Sequence, residues 1–166
     1  MIEKEVALED LSDSLAAVLA YWRARRGEEL RCSWRDFHLD ELPTQLVPTT
    51  MVVDVKEDVT KNTFRFWGSG MNVIHGADMT GMTTAELSPP EFRAAVQRIH
   101  AKVVEYPRAY GTHYGFERHG GFEHLQNALR LPLSDDGRTV SQIVIVIEWT
   151  PVGWGEVAKR KSAGLL

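Results

Sequence analysis

The segment LQNALRLPLSDDGRTVSQIVIVIEW, residues 125–149, decides the fold class. Two β-like runs are joined by Ser134-Asp135-Asp136-Gly137-Arg138, a link so short and so rich in turn formers that the runs pair as an antiparallel hairpin. The second run is apolar at every position from Ile143 to Ile147, so both alternating faces of that strand carry hydrophobic side chains. Such a strand lies inside a sheet and is covered on both faces, whereas a small antiparallel sheet ordinarily wets one of them. The chain must therefore supply two covers, and two helical segments are available for the task.

The first spans residues 8–26, where Leu8, Leu11, Leu15, Val18 and Trp22 recur at intervals of three and four. This narrow apolar seam, ended by Gly27, suits either the spare face of the sheet or the same helix of a second subunit, and a homodimer through these five residues is the expectation. Residues 28–48 read as a connector with one short helical turn near Asp36 to Leu42. Strands follow at 50–55 and 63–67. Gly68-Ser69-Gly70 then breaks the second strand, without the pattern of a nucleophile elbow or a phosphate loop, and reads as a turn. Short helical pieces at 71–75 and 83–87 precede a long helix over 89–105, whose buried stripe is Phe92, Val96, Ile99 and Val103. Three further strands, at 108–118, 122–133 and 139–149, complete a five-stranded sheet. The last segment, 151–166, shows no useful period from Val157 onward and is expected to be a flexible tail.

Composition narrows the function classes. A chain of 166 residues holds one compact unit with an extension. Its net charge is −4, and its basic groups at Arg23/Arg25/Arg26 and Lys159/Arg160/Lys161 are too short to track phosphates, so nucleic acid is not an expected partner. Cys32 is the single cysteine, and no segment has the length of a membrane span or the form of a secretory leader, which points to a reducing cytoplasm and no membrane partner.

The order helix, two strands, short helices, long helix, three strands resembles the PAS fold, an α+β arrangement in which inserted helices and the inner face of a sheet enclose a cavity. The cone-shaped fold of small isomerases and scaffold dimers places its helices before most of its strands and fits less well. Specific residues carry the resemblance further, to stand-alone bacterial PAS-like proteins best represented in alphaproteobacteria. These are Tyr21-Trp22 with Arg25 and Gly27; Ser33 with Asp36-Phe37; and Val52-Val53-Asp54-Val55. They continue through Phe64-Arg65-Phe66-Trp67-Gly68-Ser69, then Gly76, Asp78 and Thr80-Gly81, and end with Leu131-Pro132-Leu133-Ser134-Asp135-Asp136-Gly137. The chain departs from the family at Cys32 and His38-Leu39, where prolines are usual. The resemblance implies a sensor or interaction domain in signal transduction, without general catalytic residues.

Within that frame the candidate ligand-binding residues are Trp67, Met71, Ile74, His75, Val96, Ile99, His100, Tyr110 and Asn127, an apolar lining with a few polar groups for an unidentified small molecule. His100, on the edge of the long helix's stripe, is where similarity to haem-binding relatives puts an axial ligand. Flavin photochemistry through a thiol is disfavoured, because Cys32 precedes the sheet. No metal site is expected from His113, His119, His124, Glu117 and Glu123, which need not converge. Two alternatives stand beside the sensor: a small enzyme with His75 or His100 as general base near Asp78, and an interaction module whose cavity is filled by its own side chains. A signalling protein is a further expected partner.

Overall fold

The computed structural model describes residues 2–26, 32–118 and 121–164, without the side chains of 116–118 and 121. Gly27, the first residues of the connector and the His119-Gly120 turn lie outside that range, as does the side chain of Glu117. Six strands, β1 (Ile2–Val6), β2 (Thr50–Asp54), β3 (Thr63–Trp67), β4 (Tyr110–Arg118), β5 (Gly121–Leu133) and β6 (Gln142–Trp149), form one sheet in the order β1-β4-β5-β6-β2-β3. All neighbouring strands are antiparallel. Helix α1 is Asp13–Arg26, α2 is Ser69–His75, α3 is Pro90–Glu105 and α4 is Pro151–Ser162.

The doubly apolar strand β6 is interior, as its pattern demands. Val144 and Val146 join Leu129, Leu131 and Leu133 beneath α1, while Ile143, Ile145 and Ile147 join Met51, Val53, Phe64 and Val103 on the opposite face. The β5–β6 turn is tied by Asp136, which accepts from the amides of Arg138 and Thr139 at 2.7 and 2.8 Å and from the Ser134 hydroxyl at 3.0 Å. Those bonds favour the charged carboxylate and hold its pKa well below the usual range.

Four expectations change. The sheet has a sixth strand, β1, which pairs with β4 from Ile2↔Gly115 to Val6↔Gly111. Glu3, Lys4 and Glu5 give this stretch three charges in five residues. They suit an edge strand, where charge discourages further pairing, and Glu5 bridges Lys102 and Arg108.

The first helix is shorter than its apolar seam: Leu8–Asp10 is one 3-10 turn, and α1 begins after Ser12, whose hydroxyl accepts from the Leu15 amide at 3.3 Å.

The seam is covered within the chain itself. Leu15 and Val18 have no exposure within the single chain, Trp22 is 2% exposed, and Leu8 and Leu11 pack against the same cluster. The Trp22 indole donates to the Pro132 carbonyl at 3.0 Å. The sheet's spare face takes the whole stripe, because β5 and β6 present Leu129, Leu131, Leu133, Val144 and Val146 there.

Finally, the expected tail contains α4. Thr150 caps it, accepting from the Gly153 amide at 3.1 Å, with Pro151 in the first turn.

A candidate ligand cavity with orphaned donors

Between the sheet and helices α2, α3 and α4 lies a cavity of about 580 Å³, in the range of small-ligand sites. Its shape begins at the end of β3. A Cβ on Gly68 would stand 2.3 Å from the Pro48 carbonyl oxygen, so only glycine lets the chain leave the strand there and enter α2. Gly68-Ser69-Gly70 is thus the entry to a helix, and α2 carries Met71, Ile74 and His75 to the cavity wall. Trp67 stands edge-on to Phe64 at 4.8 Å and to His75 at 5.2 Å, and His75 lies against Phe92 at 5.3 Å. From α3, Phe92, Val96 and His100 line the space, an i, i+4, i+8 row on one helix face.

Helix α4 closes the remaining side with Gly153, Glu156, Val157 and Arg160. Its first turn touches the backbone of β5: a Cβ on Gly153 would lie 2.1 Å from the Leu125 carbonyl oxygen, and the Thr150 hydroxyl donates to that same oxygen at 2.9 Å.

The polar end is built on β1, β4 and β5. Arg130 is 4% exposed; its Nη1 donates to the Thr112 hydroxyl at 2.7 Å and lies 3.2 Å from a Glu3 carboxylate oxygen. Tyr114 donates to the other Glu3 oxygen at 3.3 Å, and burial together with that carboxylate pushes its phenol up to about 12, so it stays a neutral donor. His100 has no exposure; burial, with Arg130 nearby, lowers its pKa to about 3, so the ring is neutral at pH 7. Burial lowers His75 to about 4.

Several of these groups have no hydrogen-bond partner among the described residues: both His100 nitrogens, Arg130 Nε, and the indole N–H of Trp67 and of Trp149. Each belongs to a cavity-lining residue. Buried polar groups are almost always bonded, so this cluster needs partners that the described residues do not supply. A neutral imidazole with unpartnered nitrogens also fits axial ligation of a haem iron.

Of the nine residues expected here, Trp67, Met71, Ile74, His75, Val96 and His100 line the cavity, and Ile99, Tyr110 and Asn127 do not. Ile99 is buried but off the Phe92–Val96–His100 row. Tyr110 is core beside the wall, its hydroxyl donating to the Tyr106 carbonyl at 3.0 Å. Asn127 falls on the opposite face. A register shift after Tyr114 makes Leu125 an extra residue, leaving Gln126 and Arg130 toward the cavity and Asn127 donating to Glu148 at 3.2 Å.

Arg130 is the residue that sequence reading misses, although a lone arginine between Leu129 and Leu131, in a sheet covered on both faces, had nowhere to point but inward. Asp78 is exposed and accepts from Thr80, away from both histidines' cavity. Cys32 is buried with α1 on the far face of the sheet, where burial raises its thiol to about 11. His113 and His124 stack at 4.1 Å, and among the described residues no group of three or more side chains could hold a metal.

The architecture is thus an antiparallel sheet with inserted helices that enclose a small cavity on one face. The chain belongs to the PAS domain family, whose match covers residues 11–147. Among solved structures, it is similar to a light-oxygen-voltage domain studied with a flavin analogue, at 15% identity over 69% of this chain and 86% of that one, with a TM-score of 0.43. The PAS domain of histidine kinase ThkA is 14% identical over 60% of this chain and 97% of that one, with a TM-score of 0.41. A sensory box sensor histidine kinase from Vibrio cholerae is 14% identical over 82% of this chain and 92% of that one, with a TM-score of 0.38. No curated protein matches the chain. Among the described residues, no helix is long and apolar enough to cross a membrane.

Proposed function

We propose that this PAS domain is a sensor that binds a small organic molecule in the cavity between its sheet and helices α2, α3 and α4, and acts through binding rather than catalysis. The observation that carries the reading is the set of orphaned donors, Trp67, His100, Arg130 and Trp149, on the wall of a cavity of about 580 Å³. A core that merely filled itself would satisfy those groups or replace them with apolar ones. The enzyme alternative loses its proposed carboxylate, since Asp78 is exposed and engaged by Thr80.

Signal output runs through α4 in this reading. Helix α1 lies behind the sheet, whereas α4 forms one wall of the cavity, so occupancy changes the balance between docked and undocked α4. Hydrogen exchange on protein as purified, compared with protein unfolded, dialysed and refolded, tests this. Slower exchange in α4 amides before stripping is expected; identical exchange throughout α4, with no small molecule in the dialysate, overturns the proposal. An absorption spectrum of the first sample distinguishes haem or flavin from a colourless ligand.

A further inference from the structure

Resting on that reading of the cavity, we infer that its ligand is a small organic acid, a carboxylate on an apolar body, with the carboxylate seated on the Nε edge of Arg130 beside His100. Three observations lead there. The orphaned atoms on the indole and guanidinium groups are donors only, and a neutral imidazole supplies one donor more, so the missing partner is rich in acceptors. Arg130 uses Nη1 for Thr112 and Glu3, which leaves Nε pointing at no acceptor among the described residues. A guanidinium edge of this kind matches a carboxylate's two oxygens. Met71, Phe92, Val96, Ile145 and Ile147 form an apolar stretch of wall that accommodates the body, while the charged side chains Glu91, Glu156 and Arg160 line the cavity elsewhere.

The protonation state of His100 agrees. Burial first, and Arg130 second, disfavour protonation of His100, so a neutral imidazole stands beside the guanidinium where the acid head would sit. The Glu3 contact holds the guanidinium in place.

The test uses 3-phenylpropionate and octanoate against the alcohols of the same carbon skeletons, 3-phenylpropan-1-ol and octan-1-ol, by titration calorimetry on stripped wild-type protein. The acids are expected to bind at least tenfold more tightly than their alcohols. The Glu3→Gln/Arg130→Met double variant, which removes both charges together, is expected to lose that preference. In wild-type protein, needing no variant, one arginine Nε–H resonance should shift with the acids and stay still with the alcohols. Alcohols binding as well as acids, or a preference that survives the double variant, would overturn the acid assignment and leave the cavity sensor standing. No binding by either series at about 1 mM, the concentration that half-fills a site of roughly −4 kcal/mol, would remove both readings.

Discussion

Arg130 of β5 and Glu3 of β1 meet at 3.2 Å across the intervening strand, over Thr112 and Tyr114, so β1 completes the polar end of the cavity. Both side chains are largely shielded, at 5% and 18% exposure. Removing one partner of a buried pair leaves the other charge uncompensated. Glu3→Ala is expected to cost about 2–4 kcal/mol in urea denaturation, and Glu3→Gln/Arg130→Met is expected to cost less than that single change. A purely additive double variant would mean that the two charges do not interact.

The sheet-facing stripe of α1 has its own consequence. Leu15→Ala should destabilise by about 2–5 kcal/mol, the range for buried leucine truncations, with no change of mass in light scattering. Leu15→Asp should unfold the protein. A folded Leu15→Asp protein that has merely dissociated from a dimer would restore the intersubunit seam.

What could be read from the sequence follows what is periodic. The doubly apolar run of β6, the Phe92–Val96 row of α3 and the Gly68 break each declare themselves by spacing. So do the residues that carry the family resemblance, and these turn out to hold α1 and its connector: Trp22 to Pro132, Tyr21 beside Phe37 at 5.2 Å, Ser33 to Asp36 at 2.7 Å. The polar end of the cavity has no such signature. Glu3, Thr112, Tyr114 and Arg130 come from three strands far apart in the chain, and only the register that pairs β1 with β4 and β4 with β5 brings them together. Asn127 was misplaced because one bulged residue, Leu125, reverses which side chains face inward. Helix α4 was hidden by its glycines, although Thr150-Pro151 is a recognisable start.

Stability should fall on mild acidification. His100 and His75 have folded pKa values near 3 and 4, below the ordinary 6.5, so below about pH 6.5 the unfolded chain binds more protons than the native one. Each group therefore adds a slope of up to about 1.4 kcal/mol per pH unit, favouring the folded state as pH rises and levelling off above 6.5. His75 is half-buried and contributes the smaller share. Half-buried His113, also lowered, adds little. The depressed carboxylates Glu5, Asp58, Asp78 and Asp136 act only below their ordinary values of 4.5 and 3.8, so the interval from pH 6.5 to 5 belongs to the histidines. His100→Leu should flatten the denaturation midpoint over that interval by more than half. A wild-type midpoint that stays constant from pH 7.5 to 5 would contradict the burial of His100.

Gly153 is the point where α4 docks. The Cβ of Gly153→Ala would meet the Leu125 carbonyl oxygen at 2.1 Å and the Trp149 ring at 2.8 Å, and the helix must lift or the strand must shift. A loss of about 1–3 kcal/mol and faster hydrogen exchange in α4 are expected, with α1 unaffected behind the sheet. Equal acceleration in α1 and α4 would argue that the two helices open as one unit.

Native mass spectrometry of the freshly purified protein tests the central claim, that the cavity is a binding site, most directly. The account predicts an excess mass per chain that survives gentle ionisation, is released on denaturation, and is diminished when Arg130→Met removes the buried donor. A wild-type protein that flies at its bare chain mass of 18.8 kDa, with no species recovered on denaturation and no mass gained from a mixture of small organic acids, would contradict it.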